Sequence, residues 1–282
     1  MTRIIIPAYN EAANLPTLVE GIGTALKYPH RSRNDPEGTP ALGHPAKSRS
    51  DLLGTPALES APYRLYIVDD GSTDETEVIL NALRKTHPIT LLTHRMNQGV
   101  AAAFRTGFTA VTRDAEHDDV VVLMEGDGTS PPSLLPTMIQ LIQDGADLVI
   151  ASRYQTGGGY VRFPLKRLIL SRGANAVFRQ LAPNHGVSDY SIFFRGYRVP
   201  PLRAALAAHG GQFITSETFF ANIEILLKLR PYLRRAVEVP LLYDYGKKRG
   251  TSGMKIWRNL RSYLVFITRY LLRDRKRRAA LR

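Results

Sequence analysis

Short apolar runs alternate with amphipathic segments over the first 150 residues of the chain. The runs are rich in Val, Ile and Leu and stop at Pro, Gly or Asp, a pattern typical of strands that are buried on both faces. The segments between them repeat apolar residues at helical spacing. This alternation predicts an α/β fold with a mostly parallel central sheet and helices on both faces. The predicted strands cover residues 3–6, 64–68, 89–93, 120–124 and 147–151.

The pattern changes after Pro164. A long helical periodicity there is followed by shorter elements with fewer β-branched residues. We expect these elements to form a smaller second half that packs on the same sheet, within one domain spanning residues 1–246. They are a helix over 166–181, a strand over 192–197, a helix over 217–229 and a strand over 236–242.

Residues 29–62 separate the first strand–helix unit from the second strand. The sequence Gly-Thr-Pro-Ala-Leu occurs there twice, at 38–42 and 54–58, and no apolar periodicity surrounds it. A repeat this short cannot stack into a solenoid. The segment is therefore predicted to be a flexible insertion.

The composition excludes several kinds of site. The 282 residues include no cysteine, so the chain has no disulfide, no thiolate metal site and no cysteine nucleophile. No stretch reaches the roughly 18 apolar residues that span a bilayer, and no signal peptide opens the sequence. We therefore expect a cytoplasmic protein.

Positive charge is concentrated at the C-terminal end of the chain. Residues 247–282 contain 13 Lys or Arg and one acid, Asp274, so this segment carries almost all of the net charge of +13. Apolar and aromatic residues recur there at helical spacing from Ile256 to Leu271. A basic amphipathic helix suits an anionic membrane surface, although a helix packed on the domain with a solvated charged face is the alternative. We expect peripheral membrane binding and no nucleic-acid partner.

Two carboxylates end the central apolar run, in Glu125-Gly126-Asp127. Glycine between them allows the backbone to approach a ligand closely. Carboxylate oxygens at a strand end suit Mg²⁺ or Mn²⁺ shared with substrate phosphates, whereas the simpler interpretation is an acidic turn. A second acidic stretch, Asp69-Asp70-Gly71-Ser72-Thr73-Asp74, also follows a strand and includes candidates for capping the next helix.

Four motifs occur in order along the first half, and four more along the second. The first set resembles the nucleotide-sugar half of family 2 glycosyltransferases with the GT-A fold, and the second resembles dolichyl-phosphate mannose synthases and related polyprenyl-phosphate glycosyltransferases. The first set is Pro7-Ala8-Tyr9-Asn10-Glu11, Asp69 to Asp74, Asn97-Gln98-Gly99 and Glu125-Gly126-Asp127. The second set is Ala151-Ser152-Arg153-Tyr154, Ser171-Arg172-Gly173-Ala174-Asn175, Gly186-Val187-Ser188-Asp189 and Gly250-Thr251-Ser252-Gly253-Met254-Lys255.

This resemblance implies a donor half over residues 1–151 that binds a nucleoside diphosphate sugar, either GDP-mannose or a UDP-hexose. Asp127 would hold the Mg²⁺ or Mn²⁺ ion, and Glu125, which replaces the first acid of the family's usual Asp-x-Asp, would lie beside the metal or the ribose. The residues implied to line the nucleoside pocket are Pro7, Tyr9, Glu11 and Asp69.

The acceptor half would cover residues 152–246 and take a polyprenyl phosphate. Such a phosphate is ionised at neutral pH, so inverting transfer needs cations rather than a strong base, and guanidinium groups bind phosphate oxygens well. The candidate cations are Arg153, Arg167, Arg172 and Arg249, with Lys248 and Lys255 as further phosphate contacts near the position where relatives carry lysine and this chain has Gly253.

A sugar hydroxyl as acceptor would instead require a carboxylate base. Asp189 is the first candidate, with Glu217 and Glu224 behind it. An equally weighted interpretation makes Asp189 a structural acid that holds an arginine such as Arg195. Beyond these two acceptors, a non-catalytic basic module that binds membranes or nucleic acid is the remaining functional alternative.

Overall fold

A computed structural model describes residues 1–27, 62–181 and 186–248, together with Thr268. The predicted insertion, apart from Pro62, lies outside these residues, as do Arg249 and nearly all of the basic C-terminal segment. Nine strands are found in the described chain: β1 Thr2–Ala8, β2 Tyr63–Asp69, β3 Ile89–Thr93, β4 Val120–Leu123, β5 Leu148–Ser152, β6 Gly159–Val161, β7 Arg195–Arg198, β8 Ala236–Pro240 and β9 Leu242–Asp244.

Seven of the strands form one sheet in the order β3-β2-β1-β4-β7-β5-β8. All neighbouring pairs are parallel except those of β7, which runs antiparallel between β4 and β5. The two remaining strands, β6 and β9, pair with each other in parallel as a separate small sheet. The strands β7 and β8 of the second half therefore extend the sheet that the first half begins.

The described ranges contain seven α-helices: α1 Leu15–Lys27, α2 Thr76–Leu83, α3 Val100–Asp114, α4 Leu135–Gln143, α5 Leu165–Leu181, α6 Val199–His209 and α7 Ala221–Leu229. Helix α3 packs against Ile5 of β1, because a Cβ atom added at Gly107 would lie 2.5 Å from Cγ2 of Ile5. Helix α4 packs against β7, because a Cβ atom added at Gly196 would lie 2.7 Å from Cδ1 of Ile142. Gly196 pairs with Val122 and Val122 with Ile4, so the two helices cover opposite faces. The prediction of a mostly parallel sheet flanked by helices is confirmed.

Three predicted boundaries in the second half were wrong. The strand expected over 192–197 begins only at Arg195, because Asp189 accepts hydrogen bonds from the N–H groups of Ser191 and Ile192 and holds them in a turn. The helix expected from residue 217 begins at Ala221, because the Thr218 hydroxyl accepts the N–H of Phe220 in a preceding turn.

The third correction concerns the strand expected over 236–242. It divides at Leu241 into β8 and β9. Pro240 has no N–H to donate and ends β8. Leu241 then donates to Ser152 of the main sheet and accepts from Gly159, which begins β6. The chain thus passes here from one sheet to the other.

The reversal of strand order lies between β1 and β4. From β1 the chain proceeds to β2 and β3 on one side, whereas β4 pairs on the other side. In open parallel sheets ligands bind outside the carboxyl ends of the strands at such a point. The segments that follow β1, β2 and β4 are the first, second and fourth motifs of the donor half.

Candidate active site

The loops after β1 and β2 are joined by hydrogen bonds. Asn10, in the left-handed conformation with φ of 56°, donates its N–H to Ser72 Oγ at 2.9 Å and accepts the N–H of Thr73 at 2.8 Å. The N–H of Glu11 donates to Thr76 Oγ1 at 2.9 Å. The two motifs therefore form one continuous surface, on which Tyr9 is 42% exposed.

The adjacent aspartates at the end of β2 have different partners. Asp69 is buried, and its Oδ1 atom accepts the N–H and the hydroxyl of Ser72 at 3.0 and 2.6 Å. Asp70 accepts the N–H groups of Gln98 and Gly99 at 3.0 and 2.7 Å. Asp70 thus attaches the third motif to the second, a role that sequence reasoning did not assign. Of the helix-capping candidates, Asp74 accepts the N–H of Thr76.

Gly71 is required by this loop for two reasons. Its φ of 68° is unfavourable for other residues, and a Cβ there would be 2.4 Å from the carbonyl carbon of Met96. We expect Gly71→Ala to lower the free energy of unfolding by about 3 kcal/mol, combining backbone strain with overpacking. Urea unfolding followed by circular dichroism measures this.

A matched control for this substitution is Gly145→Ala. Gly145 also has a positive φ, of 92°, but an added Cβ would meet nothing within 4 Å. Gly145→Ala should lower the free energy of unfolding only by the contribution of backbone strain, about 1–2 kcal/mol. Equal losses for the two variants would show that the close approach of Gly71 to Met96 contributes nothing.

Glu125, Gly126 and Asp127 cross the carboxyl end of β1. A Cβ at Gly126 would be 2.9 Å from the carbonyl oxygen of Pro7 and 3.7 Å from Cγ of Glu11. The glycine therefore lets the acid pair lie directly against the first motif. Asp127 is buried, and its Oδ1 atom accepts the N–H of Thr129 at 3.2 Å and the hydroxyl of the same residue.

Negative charge accumulates at this point. Burial, with the charge of Asp127, raises the pKa of Glu11 to about 7, although a hydrogen bond from Asn14 opposes the shift. Burial and the same Asp127 charge raise the pKa of Glu125 to about 7, against a hydrogen bond from Ser130. Such shifts mean that the cluster favours a cation or a proton.

Lys248 supplies one positive charge to this cluster. Its Nζ atom lies 2.5 Å from Oδ2 of Asp127. Burial acts to lower the pKa of Lys248, but the Asp127 carboxylate outweighs it and raises the pKa. Sequence reasoning had named Lys248 only as a possible phosphate contact, because no local pattern indicates that it meets Asp127.

The oxygen ligands of the cluster fit a divalent cation. Within the described ranges no three Asp, Glu or His side chains converge into a metal cage. Mg²⁺ in nucleotide sites is typically held by one or two carboxylates, and phosphates and water complete its shell. Asp127 and Glu125 provide such a pair, and the ammonium group of Lys248 on Asp127 indicates that this carboxylate accepts positive charge. The set therefore fits Mg²⁺ or Mn²⁺.

Arg153 and Asp189 form a buried ion pair beside the acids. Nε and Nη2 of Arg153 donate to the two carboxylate oxygens of Asp189, each at 2.7 Å, and Nη2 also donates to Ser191 Oγ at 2.7 Å. Burial alone would lower the pKa of Arg153, but Asp189 raises it, and Arg153 holds the pKa of Asp189 low against burial. The bidentate side of Arg153 thus faces Asp189, and none of the described hydrogen bonds uses Nη1.

Aromatic rings enclose the guanidinium group of Arg153. Its Cζ atom lies 5.0 Å from the ring centroid of Tyr160 and 5.6 Å from that of Tyr243. Burial, and then the charges of Glu125 and Asp127, raise the pKa of Tyr243. This phenol therefore borders both the acid pair and the arginine. Tyr160 and Tyr243 lie on the small β6–β9 sheet, which sequence reasoning did not predict.

Two of the other candidate cations, Arg167 and Arg172, lie on α5. Arg167 donates to the hydroxyl of Tyr245 at 2.8 Å, with its guanidinium over that ring. Arg172 is exposed on α5. Arg249 lies outside the described residues. Two neighbours of Arg172 on α5 point inwards instead: Ser171 contacts the hydroxyl of Tyr160, and Asn175 donates to Ser191 Oγ.

Of the three acids considered as general bases, two are buried and one is exposed. Asp189 is fully buried and binds Arg153, whereas Arg195 donates to the carbonyls of Tyr190 and Asn222. Glu224 is also buried and accepts from the N–H groups of Thr215 and Ser216 and from Lys228. Glu217 is exposed, with its carbonyl near Gly99. An acid that sequence reasoning missed, Glu238, accepts the N–H groups of Ser188 and Asp189 and fixes the turn before Asp189.

A family of known proteins matches the middle of the chain. The family described as "Glycosyl transferase family 2" matches residues 52–206, more than half of the sequence. The chain belongs to glycosyltransferase family 2. The predicted family is thereby confirmed.

Curated relatives extend the similarity to nearly the whole chain. Polyprenol monophosphomannose synthase of Mycolicibacterium smegmatis is 28% identical over 280 residues, covering 99% of this chain and 89% of the relative. Dolichol-phosphate mannosyltransferase of Pyrococcus furiosus is 27% identical over 252 residues, covering 89% of this chain and 58% of the relative.

A solved structure supports the fold. Glucosyl-3-phosphoglycerate synthase from Mycobacterium tuberculosis, in complex with Mn²⁺, UDP-glucose and phosphoglyceric acid, has a TM-score of 0.56 at 16% identity, covering 96% of this chain and 78% of that one. The predicted GT-A-type fold is confirmed. No helix within the described part of this family 2 chain is long and apolar enough to cross a membrane.

Proposed function

We propose that this family 2 transferase moves a hexosyl group, with inversion, from a nucleoside diphosphate sugar to a polyprenyl phosphate. The observation that carries the proposal is the position of Tyr243, whose ring centroid lies 5.6 Å from the guanidinium carbon of Arg153 and whose pKa is raised by burial and by the charges of Glu125 and Asp127. The acids of the donor site and the cation of the acceptor site therefore border the same aromatic ring. The names of the two curated relatives, both polyprenyl-phosphate mannose enzymes, support this acceptor class.

On the donor side, Asp127 would hold a divalent cation and Glu125 would lie beside it. When bound, the cation stabilises negative charge on the departing diphosphate. The exposed ring of Tyr9 and the loop closed by Asp69 offer a surface for the base and ribose. The solved neighbour that carries Mn²⁺ with UDP-glucose supports this arrangement.

On the acceptor side, Arg153 is the inner cation. Asp189 holds its Nε and Nη2 atoms, so Nη1 is the group that remains to donate to a phosphate oxygen. Arg167 and Arg172 on α5 would be further contacts of the phosphate, and Arg249 is proposed as another. A guanidinium fixed in advance loses little conformational entropy on binding, which favours a productive orientation of the acceptor.

The lipid chain of the acceptor finds an apolar surface on α5. Leu165 and Ile169, one helical turn apart, are 68% and 63% exposed, and Val177 is also exposed. Arg172 and Arg179 are exposed on the same helix. We propose that this mixed apolar and basic face meets the anionic membrane that carries the acceptor, together with the C-terminal segment.

The transfer needs no base from the protein. A phosphate oxygen of the acceptor forms the bond to the anomeric carbon while the bond from that carbon to the diphosphate breaks, and the nucleoside diphosphate departs. A sugar hydroxyl would require a carboxylate within reach to accept its proton. The oxygens of Asp189 and Glu224 are engaged by Arg153 and by Thr215, Ser216 and Lys228, which favours the phosphate acceptor.

The proposal predicts transfer to a lipid phosphate but not to the matching lipid alcohol. We expect the protein with Mn²⁺ to release nucleoside diphosphate and to label polyprenyl phosphate in detergent from one of GDP-mannose, UDP-glucose or UDP-N-acetylglucosamine. Polyprenol of equal length should react at least about 100-fold more slowly, because it lacks the anion that the arginines hold. Partition of radiolabelled sugar into the organic phase measures this transfer.

Two outcomes would contradict the proposal. One is the absence of nucleoside diphosphate release with every donor when lipid phosphate is present. The other is equal transfer to polyprenol and polyprenyl phosphate, which would remove the role of the arginines. EDTA treatment controls for metal-independent hydrolysis of the donor.

A further inference from the structure

Lys248 and a divalent cation would need the same oxygen. Nζ of Lys248 lies 2.5 Å from Oδ2 of Asp127, and both side chains are largely buried, at 14% and 11% exposure. The other oxygen of Asp127 already accepts two hydrogen bonds from Thr129. A cation bound through Asp127 therefore meets the ammonium group at close range, where two positive charges repel strongly.

The surroundings of Lys248 offer it a second position. Its charge also opposes the rise in the pKa of Glu11 that burial causes. Beside the pair, Asn14 and Gly128 line a cavity of about 700 Å³. Lysine has a flexible four-carbon stem and a compact charge, so it changes partners more readily than a forked arginine does. A donor diphosphate held by the cation at Asp127 would provide a new anionic partner for the displaced ammonium group.

We infer that Lys248 competes with the divalent cation for Asp127, and that it moves from this carboxylate to the diphosphate when cation and nucleotide bind together. This inference rests on the proposed donor site. Lys248 then weakens the binding of the cation alone, and it couples cation binding to nucleotide binding. By linkage, the cation and the nucleotide raise each other's affinity by the same factor. Lys248 is in this sense a positioning residue, because it acts on the cation through Asp127.

The test is Mn²⁺ binding to the full chain, followed by the electron paramagnetic resonance signal of free Mn²⁺. Without nucleotide, we expect Lys248→Met to bind Mn²⁺ at least about tenfold more tightly than the wild type, because a charge-assisted hydrogen bond no longer has to be broken. With GDP or UDP present this advantage should shrink, because the variant has lost a partner of the diphosphate. The coupling between Mn²⁺ and nucleotide should therefore fall.

Two further variants control the comparison. Lys247→Met removes an equal charge from the exposed neighbouring position and should leave Mn²⁺ affinity near that of the wild type. Lys248→Arg keeps the charge and should bind Mn²⁺ alone as weakly as the wild type. Circular dichroism establishes that each variant is folded.

The possible results separate this inference from the proposed function. If the wild type binds Mn²⁺ with nucleotide but Lys248→Met gains no Mn²⁺ affinity, the competition is refuted and the donor site stands. The same refutation follows if Lys247→Met gains as much affinity as Lys248→Met. If the wild type binds neither Mn²⁺ nor nucleotide under any condition, both proposals fail.

Discussion

Asp189→Asn should lower the free energy of unfolding by about 3–5 kcal/mol, because it leaves the Arg153 guanidinium buried without its counter-charge. Arg153 makes three side-chain hydrogen bonds, two of them to Asp189, and both residues are buried. Asparagine has nearly the same shape, so the loss reflects charge rather than a cavity. Urea unfolding at neutral pH measures it.

The pH dependence of this loss has a definite sign. Arg153 lowers the pKa of Asp189 in the folded state, so the stabilisation is fully present above the ordinary carboxyl pKa. It disappears as pH falls through the lowered folded value. The difference in stability between the wild type and Asp189→Asn should therefore be largest near neutral pH and shrink below about pH 4.

Asp244→Asn is the matched control, because Asp244 pairs with Arg162 at the surface, where ion pairs contribute little. It should change stability only slightly. A large effect of both variants would indicate a nonspecific consequence of lost negative charge.

For the mechanism, folded Asp189→Asn should still transfer sugar to a lipid phosphate, because a positioning residue is impaired and not a base. Complete loss of turnover in a stable, folded variant, without loss of acceptor affinity, would favour a base.

Asp127→Asn should weaken Mn²⁺-dependent binding of GDP or UDP by on the order of 100-fold or more. Even residues behind a metal ligand typically contribute 10- to 100-fold to metal affinity, and Asp127 is proposed to contact the metal directly. The substitution keeps the size of the side chain and its bonding to Thr129 but removes the charge. Calorimetry with and without EDTA separates the metal-dependent part of the binding.

Glu125 supplies the comparison for this prediction. Glu125→Asp recreates an Asp-x-Asp pair and should retain metal-dependent nucleotide binding. Glu125→Gln should weaken this binding less than Asp127→Asn does. The Glu125 carboxylate already accepts a hydrogen bond from Ser130, and the positive charge of Arg153 acts on it. Unchanged Mn²⁺-dependent binding in Asp127→Asn would show that Asp127 is not the metal ligand. It would also leave room for the alternative of a basic binding module, whose affinity for polyanions depends on residues 247–282.

Much of the fold follows from local patterns in the sequence. The buried runs of β1, β2, β4 and β5 are recognisable because strands covered on both faces need continuous apolar residues. The antiparallel placement of β7 and the small β6–β9 sheet are not recognisable in this way. Both depend on which distant strands the chain pairs with after a loop. Pro240 indicates that a strand ends there, but it does not indicate which sheet the next residues join.

The candidate site divides in a similar way. The four donor motifs follow strands whose carboxyl ends meet at one edge, so their proximity could be predicted from their order. Their individual partners could not. Asp70 is indistinguishable from Asp69 by sequence, yet one binds the third motif and the other binds its own loop.

By itself, the sequence determined the family, the mostly parallel sheet and the acid pair Glu125 and Asp127, because each is encoded in residues close together along the chain. Only the tertiary structure decided which charges meet. Lys248 contacts Asp127 across 121 positions, and Arg153 contacts Asp189 across 36. An ion pair between distant residues leaves no periodic signal in the sequence, because its geometry depends on how the sheet and its loops pack.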